Sequence, residues 1–266
     1  MLDCFNRKIN YLRISVTDRC NLRCTYCMPE SGVKWIEHNK IITFEEIEEV
    51  VRVAVNLGID KFRLTGGEPL VRKGIVELIN MISSVKGVKD LALTTNGILL
   101  EQFAEPMAKA GLHRINISLD TVNPIKFKSI TRGGDISQVF TGIKQAQLVG
   151  LTPVKINCVI KDTSFEKDAL EVKAFCLENG LQARFIHQMN LSEGSFSVVE
   201  GGSGGDCTHC NRLRVTSNAK IKPCLFSDIE YDIRELGIEK SFKMAIMSKP
   251  EKGSKNHNNC FNNIGG

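Results

Sequence analysis

From residue 11 to residue 188 the chain alternates short strand-like stretches with helix-like ones, and that alternation leaves few folds open. YLRISV (11–16), KFRLT (61–65), DLALTT (90–95), HRINISL (113–119), PVKINCVI (153–160) and ARFIHQ (183–188) read as strands. Thr43, with Glu46 three residues on, has the signature of a capping box. Ile47, Val50, Val51, Ala54 and Leu57 follow at helical spacing. Further helices are expected over 74–84, 101–110, 136–149 and 166–178. Successive β-α units joined by right-handed crossovers build a parallel sheet. Six strands are too few for a closed eight-stranded barrel, so the expected fold class is α/β, an incomplete (β/α)6 TIM-like barrel. In such folds the active site lies at the C-terminal strand ends. There the chain carries Thr65-Gly66-Gly67-Glu68, Thr94-Thr95-Asn96-Gly97, Ser118-Leu119-Asp120 and Met189.

The pattern changes near residue 190. Residues 1–190 form the barrel unit, 191–206 are rich in Gly and Ser and read as a flexible connection, and 207–266 form a smaller C-terminal region. The run Gly201-Gly202-Ser203-Gly204-Gly205 has the composition of an engineered linker. The C-terminal region holds too few apolar residues to fold well alone, so it needs a metal site or docking on the barrel. No run of about 18 apolar residues occurs, so no membrane partner is expected. The first residues lack the apolar core of a secretory signal, which makes a cytoplasmic location the expectation. The net charge of +5 is mild and its basic residues are dispersed, which gives no reason to expect nucleic acid.

Ten cysteines are many for a chain in a reducing compartment, where close groups point to metal or catalysis. Cys20, Cys24 and Cys27 stand at C-x-x-x-C-x-x-C spacing directly after the first strand. Cys207 and Cys210 form C-x-x-C, followed by Cys224. Each group holds three cysteines, whereas a structural zinc site takes four ligands. Three thiolates can hold three irons of a cubane cluster and leave the fourth open to a small molecule. Two zinc readings stay open: a loop completed by His38, and a zinc knuckle completed by His209. Cys158 and Cys176 are expected to be buried small hydrophobes, and Cys4 and Cys260 are isolated. Arg212 and Arg214 flank Leu213 and are expected on a loop if both are to reach one anion.

The first cysteine group, with Tyr26 before its last cysteine, resembles the radical S-adenosylmethionine superfamily, and so does T-G-G-E-P at 65–69. Together with R-L-T-G-G-E-P (63–69), N-I-S-L-D (116–120), C-x-x-C-N-R-L-R (207–214) and the terminal Gly265-Gly266, the chain closely resembles the GTP 3′,8-cyclase family. The similarity runs almost continuously over 7–189, then over 207–227 and the last two residues.

That resemblance implies two [4Fe-4S] clusters, on Cys20, Cys24, Cys27 and on Cys207, Cys210, Cys224, with S-adenosyl-L-methionine on the first. It implies that Tyr26, Gly67, Ser118 and Met189 surround S-adenosylmethionine, and that Arg13, Arg63, Thr94, Lys155, Arg212 and Arg214 bind GTP. The set makes independent sense, because arginine forks match phosphate oxygens. Gly265 and Gly266 are implied to enter the site and to be needed for cyclisation. The implied reaction opens molybdenum cofactor biosynthesis. It needs an external one-electron donor and passes its product to a downstream molybdopterin-pathway enzyme; a homodimer is compatible with it. A competing reading is a radical enzyme that modifies a peptide. Two departures bear on substrate geometry: the family has a much longer stretch where this chain has 190–206, and a glutamate where it has His187.

Overall fold

The structure is a computed structural model and describes residues 1–265. Its frame is a parallel run of β1 (Tyr11–Ser15), β2 (Lys61–Thr65), β3 (Asp90–Thr95), β4 (Arg114–Ser118), β5 (Lys155–Ile160) and β6 (Gln182–His187), each paired with the next. The connections carry α1 (Phe44–Asn56), α2 (Ile75–Ser83), α3 (Leu100–Lys109), α4 (Pro124–Thr131), α5 (Ile136–Leu148) and α6 (Lys167–Glu178). The expected strands and helices match these within a few residues; α4 is an additional helix in the β4–β5 crossover. Thr43 caps α1 as its spacing predicts, its side chain accepting from Glu46 N while its own N–H donates to the Glu46 carboxylate.

The sheet does not close, in line with the incomplete barrel. The free side of β1 is taken by β7 (Arg212–Val215), which runs parallel to it, followed by antiparallel β8 (Lys220–Lys222) and β9 (Tyr231–Asp232). The C-terminal region thus docks by extending the sheet. Leu213, Val215 and Ile221, with Phe242 and Ala245 of α8 (Ile238–Met247), belong to the same apolar core as the barrel. Two short helices, α7 (Ile233–Leu236) and α9 (Phe261–Ile264), complete the fold.

Strand periodicity of two sorts the residues. Leu12, Ile14, Phe62, Leu64, Leu91, Leu93, Ile115 and Ile117 are fully or almost fully buried and pack against the helices. Each contributes about 1.5–3 kcal/mol by leaving water. The alternate positions point inward and are polar: Arg13, Arg63, Thr94, Asn116, Ser118, Asn157 and Arg184. The segment 191–206 folds back along β6, with paired backbone hydrogen bonds Phe185–Glu200 and Asn190–Ser195 and Val199 N donating to Gly204 O. No helix among the described residues is long and apolar enough to cross a membrane.

Candidate active site

The loop after β1 brings Cys20, Cys24 and Cys27 to the wall of one cavity. Cys27 N and Met28 N both donate to Cys24 O, a turn that keeps Cys24 and Cys27 close. The loop lies flat against the end of β2, because Gly67 N donates to Thr17 O at 2.8 Å and Glu68 N to Arg19 O at 2.7 Å. Gly67 is required there, since a Cβ would run into the Arg19 carbonyl. Glu68 is buried and accepts from Leu70 N, Thr95 Oγ1 and Asn96 N, which ties β2 to β3; burial pushes its carboxyl up to about 7.

Burial pushes all three thiols up, Cys24 to about 12, with the Asp120 charge and Cys20 adding to it. Thiols so placed become thiolates only beside a compensating cation, which fits a metal group with three cysteine ligands. Among the described residues no three His, Cys, Asp or Glu side chains are arranged to hold a single metal ion. His38 is exposed and does not line this cavity, so the zinc reading loses its proposed fourth ligand. Tyr26, Gly67, Ser118 and Met189 share the same wall. Tyr26 donates to Asp120 Oδ2 at 2.7 Å, and Asp120 Oδ1 accepts from Val159 N, so the phenol is held by the end of β4.

A second cavity of about 330 Å³ adjoins the first, with Asn157, Ile186 and Met189 lining both. Its wall is cationic. Arg13 of β1 pairs in register with Arg63 of β2 on one side and Arg214 of β7 on the other. Lys155, Arg184 and Arg212 join them. Burial, then the neighbouring cations, lowers Arg214 to about 10 and Lys155 to about 8; Arg13 and Arg63 are lowered too, by burial first. Asp90 lies in this wall but is engaged by Arg114 through a bidentate pair. The Nε groups of Arg63 and Arg184 are buried with no hydrogen-bond partner among the described residues. Like charges on adjacent strands oppose folding; an array of this kind is suited to a polyanion that supplies the missing acceptors.

Arg212 and Arg214 do not need a loop. They lie on β7 two positions apart, and a strand's period of two puts both on the inner face. The Tyr11 ring carries the guanidinium groups of Arg63 and Arg212, each 5.6 Å from its centroid.

Cys207, Cys210 and Cys224 line this second cavity. Burial pushes Cys224 up. Cys210 is lowered, because the Lys249 charge and the Arg212 backbone N–H outweigh the effect of burial. His209 points elsewhere: it is exposed, bonds to Asp206 at 2.8 Å and does not line the cavity, so it completes no zinc knuckle.

The tail runs between the two cavities. Ile264 is fully buried against Leu191, Leu225 and Phe226. Gly265 has φ +72°, its carbonyl accepts from Arg214, and a Cβ there would collide with Thr65. Gly266 lies outside the described residues.

Thr94 is the site residue that stands apart. The resemblance groups it with the substrate set, whereas it lines the first cavity, its buried hydroxyl without a partner among the described residues. Sequence reasoning missed Arg114, Arg184 and Lys249, though strand alternation placed the first two on the inner face. The carboxylate that the family pattern has at position 187 is absent from β6; Glu200, from the folded-back segment, comes within 3.9 Å of His187 Nε2.

Known proteins similar to this chain point to one family. The sequence model of the Radical SAM superfamily matches residues 14–176. The chain is 42% identical to a GTP 3′,8-cyclase of Alkaliphilus oremlandii (strain OhILAs) over 300 aligned positions, covering 95% of this chain and 94% of that protein. It is 43% identical to a GTP 3′,8-cyclase of Peptoclostridium acidaminophilum, covering 88% and 85%. An alignment of 300 positions against 266 residues means that the relative carries residues this chain lacks. Among solved structures, Streptococcus suis SuiB bound to S-adenosylmethionine superposes with a TM-score of 0.67 at 17% identity, covering 86% of this chain and 64% of that one. The enzyme anSMEcpe with bound AdoMet gives 0.67 at 19%, covering 91% and 81%. At such identity the structural likeness speaks for the fold alone. Sequence shared at this level along almost the whole length carries more, and by it the chain belongs to the GTP 3′,8-cyclase family of the radical SAM superfamily.

Proposed function

We propose that this chain converts GTP by radical cyclisation into (8S)-3′,8-cyclo-7,8-dihydroguanosine 5′-triphosphate, the first step of molybdopterin biosynthesis. One observation carries the reading: a three-thiol cavity opens beside a cationic cavity that holds a second set of three thiols. Cys20, Cys24 and Cys27 would hold the first [4Fe-4S] cluster, with Tyr26, Gly67, Ser118 and Met189 around S-adenosylmethionine. When bound, this pair supplies the one-electron cleavage that starts hydrogen abstraction from the substrate ribose.

The rest is positioning by the chain. Arg13, Arg63, Arg184, Arg212, Arg214 and Lys155 receive the triphosphate, each charge-assisted hydrogen bond contributing about 1.5–3 kcal/mol. Cys207, Cys210 and Cys224 would hold a second [4Fe-4S] cluster, with three ligands leaving one iron for the guanine. The folded-back segment lines one side of this cavity, with Phe196 stacked on Phe226 at 4.4 Å. An external one-electron donor and a downstream enzyme that consumes the product complete the reading.

The test is anaerobic reconstitution followed by incubation with dithionite, S-adenosylmethionine and GTP. Formation of 5′-deoxyadenosine together with the cyclised nucleotide is expected. Cleavage of S-adenosylmethionine that GTP neither stimulates nor turns into a nucleotide product would overturn the proposal.

A further inference from the structure

Directly after α8, the stretch Lys249-Pro250-Glu251 runs alongside the second cysteine group. Lys249 is 3% exposed and makes no ion pair with a carboxylate among the described residues. Its Nζ donates to Arg212 O and to Pro223 O, both at 2.8 Å. Arg212 lies two residues past Cys210, and Pro223 immediately precedes Cys224, so one ammonium ties together the stretches that carry two of the three cysteines.

The third cysteine is held from the same side. Arg7 donates from Nη1 to Cys207 O at 2.8 Å and to Glu251 O at 2.9 Å, and from Nη2 to Pro250 O at 2.7 Å. Its own charge is met by Asp3, Nε to Oδ2 at 2.6 Å. Lys249 has no such partner. An ammonium carries three protons, and two carbonyls satisfy hydrogen bonds without neutralising the charge. The anionic group that the surroundings offer is the cysteine set itself. Arg212 and Arg214, the other cations on this wall, bond to Ser203 and to Gly265, neutral groups that leave their charges for an anion in the cavity.

We infer that Lys249 is a positioning residue of the second cysteine group: it sets the spacing of Cys210 and Cys224, and its charge raises the reduction potential of the cluster they hold. The inference rests on the reading that Cys207, Cys210 and Cys224 carry a cluster. A buried positive charge beside a cluster favours the reduced state, which has one more electron.

The experiment reconstitutes the full-length protein as parent, Lys249→Gln, Lys249→Met and Lys249→Arg. It measures iron and sulfide per chain and follows both clusters by EPR during redox titration. Lys249→Gln keeps donors but no charge, and should shift the second cluster to more negative potential while leaving the first in place. Lys249→Met should lose second-cluster iron, and Lys249→Arg should return the potential toward the parent. If the Gln variant loses the second cluster outright while the first keeps its S-adenosylmethionine-perturbed signal, positioning is supported, and the Arg variant reports the charge. Parental iron content with an unmoved second potential in both Gln and Met variants overturns the inference and leaves the second cluster standing. Iron for one cluster only in the parent itself overturns the cluster reading, and the role of Lys249 with it.

Discussion

Arg214 donates a hydrogen bond to the backbone carbonyl of Gly265, joining a cation of the second cavity to the chain's C-terminal end. Thr65, on the wall of the first cavity, is what a side chain at position 265 would strike. Gly265 therefore occupies a gap between the two chemistries that only a glycine fits.

Gly265→Ala combines that collision with a left-handed backbone, a cost of about 1–3 kcal/mol. The tail should leave its seat, and formation of cyclised nucleotide should fall by on the order of ten- to a hundredfold. Deleting residues 265–266 should act in the same direction while S-adenosylmethionine cleavage persists, and a synthetic tail peptide should restore part of the product. Product assays at the parental rate for both variants would make the tail a bystander.

Arg63→Met should move two measurements in opposite directions. The guanidinium is buried beside like charges, so without substrate its removal relieves the protein. The substrate-free Tm should rise, by about 2–4 °C for each kcal/mol relieved. Affinity for GTP should fall about ten- to a hundredfold, as one charge-assisted hydrogen bond is lost. A fall in Tm with unchanged nucleotide titration would show Arg63 to be structural.

Lys155 gives a pH signature. Burial, then Arg184, Arg114 and Arg63, depresses its folded pKa to about 8 from an ordinary 10.5. In the substrate-free protein the penalty of holding the cation is therefore full below about pH 8 and is relieved as pH rises from there toward 10.5. A bound triphosphate favours the charged amine, so GTP binding should take up a proton between about pH 8 and 9 and weaken as pH rises. Calorimetry in two buffers of different ionisation enthalpy reads this uptake. It should vanish in Lys155→Met, and equal uptake in that variant would assign the proton elsewhere.

Cys24→Ala and Cys210→Ala should separate the two thiol groups. The first should abolish reductive cleavage of S-adenosylmethionine. The second should leave uncoupled cleavage in place and remove GTP turnover. Normal 5′-deoxyadenosine from Cys24→Ala, or parental cyclisation by Cys210→Ala, would contradict the assignment of that loop.

The strands β1 to β6, the helices α1, α2, α3, α5 and α6 and both cysteine groups were legible in the sequence, because each rests on short-range rules: period two, period 3.6, a capping box, ligand spacing; β7, β8 and β9 were not. These local rules set the inward-facing arginines of β1, β2 and β6 before any packing is known. What no local rule contains is which strand lies beside which. The seating of β7 against β1 puts Arg214 next to Arg13 across more than two hundred residues of chain. The clamp of Arg7 and Lys249 on the second cysteine group, the return of Glu200 to His187, and the close seat of Gly265 against Thr65 have the same origin. Each is a contact between segments remote in sequence, decided by burying a shared core and by satisfying backbone groups that the fold has removed from water. The sequence by itself determined the chemical groups and the barrel that carries them; tertiary packing decided that two three-thiol sets, a cationic wall and a glycine tail meet in one place.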